Sequence, residues 1–391
     1  MSKIELVAPC NFGVEAVLSR EIKNLGYEII RVEDGRVSFM ANEEGICRSN
    51  LWLRTAERVL VKIDEFEALS FEELFEKTKR LQWYRWIPKD AEFPVSKASS
   101  IKSKLFSTSD IQAIVKKAVV ESMKAKYKQQ WFDETGERYP IHVFLNRDKA
   151  ALYLDTSGLS LHKRGYRELS NSAPIKETLA AAMVLLTPWK PERAFIDPFC
   201  GSGTIPIEAA MIGLNIAPGH GRNFVSGSWR WIESKLWNRA KEEAGSMVKH
   251  NAALNVQGYD IDESALRIAR TNMKLAGLED KIHFQKRDIK ELSSKDRYGF
   301  IVTNPPYGER LSDRNSVLSL YKEMGKVFSK LETWSFYIIT ANEEFERFFG
   351  KRADRKRKLY NGMMKADLYQ FFGPKPPKPA VNVAASLEIV D

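Results

Sequence analysis

Two hydrophobic periodicities divide the chain. Before about residue 160, short alternating apolar runs mix with amphipathic helical stretches; after residue 173, strands and helices take turns. Ile4-Glu5-Leu6-Val7-Ala8 alternates with the period of a half-buried strand, and residues 13–25 set Val14, Val17, Leu18, Ile22 and Leu25 at helical spacing. Residues 29–32 and 36–40 read as a hairpin turning at Asp34-Gly35, residues 43–53 as a helix and 58–65 as a strand. Strand-helix-strand-strand-helix-strand is the split βαβ order of a ferredoxin-like α+β unit, expected over residues 1–65. A second α+β stretch, 66–160, predicts a helix at 70–81 capped by Ser70. It continues with a short strand at 93–96, a long basic helix at 111–128 capped by Ser109-Asp110, and a hairpin at 141–145 and 150–154.

Residues 161–172 read as a connector. From 173 to 373 the pattern predicts a helix at 174–186, with Pro174 near its first turn. Strands follow at 194–197, 256–260, 282–286, 299–303 and 334–340, with a closing hairpin at 358–360 and 369–372. Such alternation builds a parallel, Rossmann-like α/β sheet covered on both faces. An insertion at 215–249 is rich in tryptophan and positive charge. Trp229, Trp231 and Trp237 either stack on nucleic acid or, as the favoured reading, pack the insertion onto this sheet. Residues 374–391 open with a proline-rich run and are expected to be a loose tail.

Composition narrows the function. A chain of 391 residues suggests two or three domains. Cys10, Cys47 and Cys200 lie far apart, and His220 and His250 have no partner ligands at metal spacing, so reduced thiols, no metal and a cytoplasmic location are expected. No apolar run is long enough to span a membrane. The net charge of +10 is concentrated. Residues 1–96 carry 14 Lys and Arg against 17 Asp and Glu, whereas 97–128 carry eight lysines against two acids and 351–358 six bases against one. Two basic patches point to a polyanion, most simply nucleic acid.

The candidate chemistry sits in loops after predicted strands. Asp197-Pro198-Phe199-Cys200-Gly201-Ser202-Gly203-Thr204 turns from a strand into a helix, the glycines allowing close backbone approach by a ligand. A phosphate loop would need Lys after the glycines, and a nicotinamide fold a third glycine; Thr204-Ile205-Pro206 supplies neither. Asp260-Ile261 ends the next strand, where a carboxylate can take ribose hydroxyls, and Asp288-Ile289 the third, where it can accept an adenine amino group. Asn304-Pro305-Pro306-Tyr307 follows the fourth. The Asn304 oxygen and the Pro305 carbonyl can hold both N–H groups of a heterocyclic amine, Pro306 stiffens the loop, and Tyr307 offers a stacking face.

These loops resemble those of class I S-adenosylmethionine-dependent methyltransferases, in the branch that methylates nitrogen. Added to them, His162-Lys163-Arg164-Gly165-Tyr166-Arg167 and Ala173-Pro174-Ile175-Lys176-Glu177-Thr178-Leu179-Ala180 resemble the RlmL/YpsC family of ribosomal RNA methyltransferases. Leu53-Arg54-Thr55-Ala56-Glu57-Arg58 and the lysine-rich stretch from Ser100 to Gln112 resemble landmarks of the RNA-binding THUMP domain, whose start near residue 44 is also compatible. The resemblance implies a seven-stranded methyltransferase domain behind ferredoxin-like and THUMP units. It implies transfer of methyl to the exocyclic N2 of a guanine in large-subunit (23S) ribosomal RNA, leaving S-adenosylhomocysteine. Asp197, Phe199, Gly201, Gly203, Thr204 and Pro174 would surround the cofactor, with Asp260, Ile261, Asp288 and Ile289 toward its nucleoside. Asn304, Pro305, Pro306 and Tyr307 would hold the base. Lys102, Lys104, Lys116, Lys117, Arg164, Arg167 and Arg310 are the candidate RNA contacts, Arg164 and Arg167 serving either RNA or the cofactor domain. The alternatives are the same chemistry on a tRNA guanine, an adenine N6 or a protein glutamine, and a non-catalytic RNA-binding ribosome-assembly factor.

Overall fold

Residues 3–167, 175–307, 314–362 and 364–377 are described by the computed structural model. The front half runs β1 (Ile4–Pro9), α1 (Glu15–Asn24), β2 (Glu28–Glu33), β3 (Arg36–Ala41), α2 (Glu43–Trp52) and β4 (Leu60–Glu67). It continues with α3 (Phe71–Lys79), β5 (Val95–Ile101), α4 (Thr108–Tyr127), β6 (Ile141–Asn146) and β7 (Lys149–Asp155). The two predicted α+β units share one seven-stranded sheet of order β2-β3-β1-β4-β7-β6-β5. Their junction is the antiparallel pairing of β4 with β7, partners some ninety residues apart that no local pattern announces.

Two local expectations change. Strand β5 occupies Val95–Ile101 rather than 93–96, pairing in parallel with β6 at the sheet edge. Its polar sequence lacks strand-like alternation because an edge strand has only one neighbour to bury against. Helix α4 is capped by Ser107, whose Oγ accepts the Asp110 N–H at 3.4 Å, not by Ser109-Asp110.

The second half contains α5 (Glu177–Leu185), β8 (Phe195–Asp197), α6 (Thr204–Gly213), α7 (Ser234–Ser246), β9 (Val256–Asp260), α8 (Glu263–Leu275) and β10 (Ile282–Lys286). It ends with β11 (Phe300–Thr303), α9 (Arg314–Phe328), β12 (Ser335–Thr340), α10 (Phe345–Phe349), β13 (Arg355–Asn361) and β14 (Met364–Phe371). Its seven strands run β10-β9-β8-β11-β12-β14-β13; the first five are parallel, β14 lies antiparallel to β12, and β13 antiparallel to β14. One face packs α5, α6 and α8 through residues such as Leu179, Ile207 and Leu266, and the other packs α9 and α10 through Tyr321, Met324 and Phe345.

The insertion does not cover this sheet, contrary to expectation. It crosses to the front half. Trp229 stacks on Tyr139 at 4.7 Å and donates its Nε1–H to the Arg138 carbonyl at 2.8 Å. Trp237 on α7 stacks on Phe224 at 5.1 Å, and both join the buried core of the front sheet. The insertion can bury large rings there because α2 presents a face for α7 to cover. Arg48 on α2 holds Glu243 on α7 through two bonds of 2.8 Å.

Helix α1 completes the lock. Leu18 and Ile22 belong to the front core, whereas Val14 and Val17 are buried with Leu179, Leu359 and Ala366 of the second half. Beneath it, the buried Arg164 guanidinium pairs with Glu208 on α6 at 3.3 Å and donates to the Leu161 and Arg54 carbonyls at 2.7 and 2.5 Å. Glu57 receives the Thr178 hydroxyl at 2.7 Å and lies 3.1 Å from His162. The two halves therefore meet through a core, an ion pair and an interlocked segment.

Candidate active site

The parallel strands reverse their spatial order between β8 and β11, where open α/β sheets leave a crevice beyond the carboxyl ends. Every predicted loop opens there. Asp197, buried at the end of β8, accepts the Thr303 hydroxyl from the end of β11 at 2.6 Å and the Phe199 N–H at 3.1 Å. That bond spans the switch point and fixes the spacing of the two functional loops.

Gly201 and Gly203 have φ of +51° and +83°, values that a side chain would strain. A Cβ on Gly203 would meet Ala269 and Phe284 at 3.0 Å, so this glycine lets α6 pack against α8. Nothing lies within 4 Å of the Cβ position of Gly201, which faces open space. Thr204 opens α6, and no side chain caps that helix, leaving N–H groups of its first turn directed at the crevice. Asp260 ends β9 and pins the loop: its Oδ2 accepts the Gly201 N–H at 2.9 Å and its Oδ1 the Asp262 N–H at 3.0 Å. A carboxylate retains acceptor capacity beyond two such bonds. Ile261 beside it is 65% exposed, an apolar surface suited to a purine ring, whereas Ile289 is buried among Tyr259, Leu292 and Ile301 and offers no such surface. The half-buried Asp288 accepts the Lys290 N–H at 3.0 Å.

An open glycine, two strand-end carboxylates and an exposed aliphatic side chain fit a nucleoside with an amino-acid arm. The expected effect of Asp260→Asn is therefore a weakening of S-adenosylmethionine binding by at least about tenfold, read by calorimetry, one charge-assisted bond being worth roughly 1.5–3 kcal/mol. An unchanged Kd would remove Asp260 from the cofactor site.

Burial raises the Asp197 carboxyl, the Thr303 and Phe199 bonds oppose it, and the charge of Asp260 adds to the rise; the result is about 7. An unfolded aspartate titrates near about 4. Between those values the folded chain holds a proton that the unfolded chain has lost, so this stabilising contribution is complete below about pH 4 and lost as pH rises through 7. Thermal midpoints of Asp197→Asn should fall less steeply from pH 5 to 7 than those of the wild type. Parallel curves would contradict this assignment.

In the second loop Pro305 is buried and Pro306 exposed, and the Tyr307 hydroxyl donates to Asn304 Oδ1. An amide oxygen accepts two bonds, so Asn304 retains a place for an amine. The sequence did not reveal Tyr321. From α9 its buried hydroxyl donates to the Pro306 carbonyl at 2.9 Å and meets Thr340 Oγ1 at 3.0 Å, clamping the loop. Its only sequence signal is an inward position on an amphipathic helix.

The candidate RNA contacts separate into groups. Lys102, Lys104 and Lys117 are exposed. Lys116 instead sits 3.6 Å above the Phe93 ring and bonds Glu134 at 2.5 Å, so it holds the front core together. Arg164 is buried in its ion pair and cannot reach a phosphate. Arg167 bonds Glu177 at 3.1 Å and the Ile175 carbonyl at 2.9 Å, securing the start of α5. Pro174 and Arg310 lie outside the described residues.

Comparison with known proteins agrees with this architecture. The RlmL ferredoxin-like domain matches residues 5–60, the THUMP domain 68–155 and the RMKL-like methyltransferase domain 164–370. A Bacillus subtilis (strain 168) protein provisionally named an RNA methyltransferase, YpsC, is 48% identical over 97% of this chain and 98% of its own length. The ribosomal RNA large subunit methyltransferase K/L of Methylococcus capsulatus is 34% identical over 92% of this chain, which spans 50% of that longer protein. A crystal structure of a provisionally named methyltransferase complexed with SAH superposes with a TM-score of 0.91 at 44% identity, covering 96% of this chain and 100% of the other. The chain thus belongs to the RMKL-like methyltransferase family, with the RlmL ferredoxin-like and THUMP domains preceding its catalytic domain.

Proposed function

We propose that this protein methylates RNA, transferring a methyl group to the exocyclic N2 of a guanine in large-subunit ribosomal RNA. The observation that carries the reading is the pairing of the two loops across the switch point, joined by the Asp197–Thr303 bond, in a chain that also bears a THUMP domain. The substrate assignment is supported by the name of the K/L relative and by the basic stretch that includes Lys102, Lys104 and Lys117.

S-adenosylmethionine, the methyl donor, supplies an electrophilic methyl on a sulfonium. The residues of the chain do the rest. Asp260 and Ile261 hold the nucleoside end, and the turn through Gly201 admits the amino-acid arm against backbone. A guanine N2 amine is a weak nucleophile because its lone pair delocalises into the ring. Asn304 Oδ1 and the Pro305 carbonyl accept its two N–H groups, which favours the pyramidal nitrogen and aims its lone pair. Tyr307 stacks on a base withdrawn from its helix. Tyr321 keeps the loop in place through Pro306. The surplus proton departs to solvent after transfer, so no strong base is required before attack.

Purified protein with tritiated S-adenosylmethionine and RNA from cells lacking this gene tests the reading. Labelled N2-methylguanosine in large-subunit RNA is expected. Label confined to tRNA or in methyladenosine would overturn the substrate while leaving the chemistry. Label only in protein would overturn the RNA assignment.

A further inference from the structure

The catalytic hairpin β13–β14 is longer than the sheet it closes. Thr340, the last residue of β12, pairs with Asp367, and beyond that register Leu359–Ala366, Tyr360–Lys365 and Asn361–Met364 continue the hairpin past the sheet on its catalytic edge. Leu359 and Ala366 are buried against α1. On the opposite face of the hairpin stand Lys358, Tyr360 and Lys365, with Asp367 opposite Lys358.

The front half reaches this tip. Gly13, with φ of +86°, lies so close that a Cβ there would sit 2.4 Å from the Lys358 carbonyl, and Arg357 donates to the Gly13 carbonyl at 2.9 Å. Phe12 is thereby set edge-on to Tyr360 at 5.8 Å, yet it remains 51% exposed. The Lys358 ammonium lies 5.5 Å above the Tyr360 ring, and Lys358 and Lys365 are both exposed. A half-exposed phenylalanine outside the buried cores, set against the Gly35 turn and beside a tyrosine and two lysines, is well suited to bases and phosphates.

We infer that this seam is a substrate-binding rim, which an unpaired RNA segment flanking the target nucleotide crosses, its bases against Phe12 and Tyr360 and its phosphates against Lys358 and Lys365. The inference rests on the proposed RNA reading. Three strand spacings separate β11, which presents Asn304, from β13, about 14 Å in all. A base in the pocket therefore leaves neighbouring nucleotides within reach of the rim. Charge favours RNA as the occupant: on the outer face of the hairpin two exposed ammonium groups stand against one half-buried carboxylate, Asp367, and the nearby Glu15 carboxylate is taken up by the Gly13 and Gly35 N–H groups at 2.9 and 2.8 Å.

The test uses the full-length protein, with Phe12→Ala, Phe12→Tyr and the double variant Lys358→Glu/Lys365→Glu. Fluorescence anisotropy with a labelled single-stranded RNA, steady-state transfer on deproteinised ribosomal RNA, and S-adenosylmethionine calorimetry are the readouts. Phe12→Ala and the double variant should each raise the RNA Kd and KM at least tenfold, with kcat within twofold and cofactor affinity unchanged. Phe12→Tyr should retain wild-type affinity, and the double variant should show a shallower salt dependence. Both lysines are exposed, so the charge reversal reports on binding even if Phe12→Ala folds poorly. RNA Kd and KM within twofold of wild type would overturn the rim. An effect confined to assembled ribosomal particles would overturn it too, and would assign the seam to a protein partner. If the wild type transferred methyl to no RNA, the proposed function would fail by itself, while anisotropy still judged the rim.

Discussion

Asn304→Ala is expected to lower kcat by about 100- to 1000-fold, the scale of removing one preorganised polar contact to the reacting group. The loss should appear in single-turnover rates, with cofactor affinity and thermal midpoint near those of the wild type. Local geometry sets that expectation. Asn304 is half-buried at the end of β11, and although the Tyr307 hydroxyl would lose its acceptor, two other loop positions are held without it: Pro306 by Tyr321, and Thr303 by Asp197. Truncation should therefore remove an acceptor for the amine and leave the loop standing. Transfer at the wild-type rate would end the assignment of Asn304 to the target amine.

Arg164→Met should cost about 3–5 kcal/mol of folding stability, the usual penalty for stranding one member of a buried ion pair. Glu208, wholly buried on α6, would keep the Tyr166 hydroxyl at 3.1 Å but lose its cation. The Leu161 and Arg54 carbonyls would lose their donors as well. Denaturant titration measures the loss, and Arg164→Met/Glu208→Gln should recover part of it by removing the unpaired charge. The RNA KM of the folded fraction should not move. A large rise in KM without lost stability would return Arg164 to the RNA surface.

Legibility in the sequence followed the range of the interactions involved. Strands β9 and β10 lie where their apolar patterns place them, at Val256–Asp260 and Ile282–Lys286, and the hairpin of β2 and β3 turns at Asp34-Gly35 as the Gly35 φ of +74° requires. The four candidate site loops were readable as strand-end loops because each follows a strand whose composition announces it. What depends on distant partners was not. The junction of β4 with β7, the destination of Trp229 and Trp237, and the burial of Arg164 each turn on a residue far away in sequence. Lys116 and Lys117 are adjacent, and their contrasting surroundings follow from helical geometry, one half-buried over Phe93 and the other exposed, 5.7 Å from the Phe75 ring centre. Edge strand β5 escaped because Ser96, Ser99 and Ser100 carry no hydrophobic signal.

The crossing of the insertion bears on how the chain is made. Synthesis proceeds from the amino terminus, and domains ordinarily fold as they emerge. Here the THUMP-bearing sheet is finished by side chains translated long afterwards: Tyr139 awaits Trp229, and Arg48 on α2 awaits Glu243 on α7. A nascent chain paused near residue 160 exposes an unfinished apolar face. A fragment ending at that family boundary should consequently be a poor stand-in for the RNA-binding half, and a split of the protein for biochemical work would better follow the packing than the order of domains along the sequence.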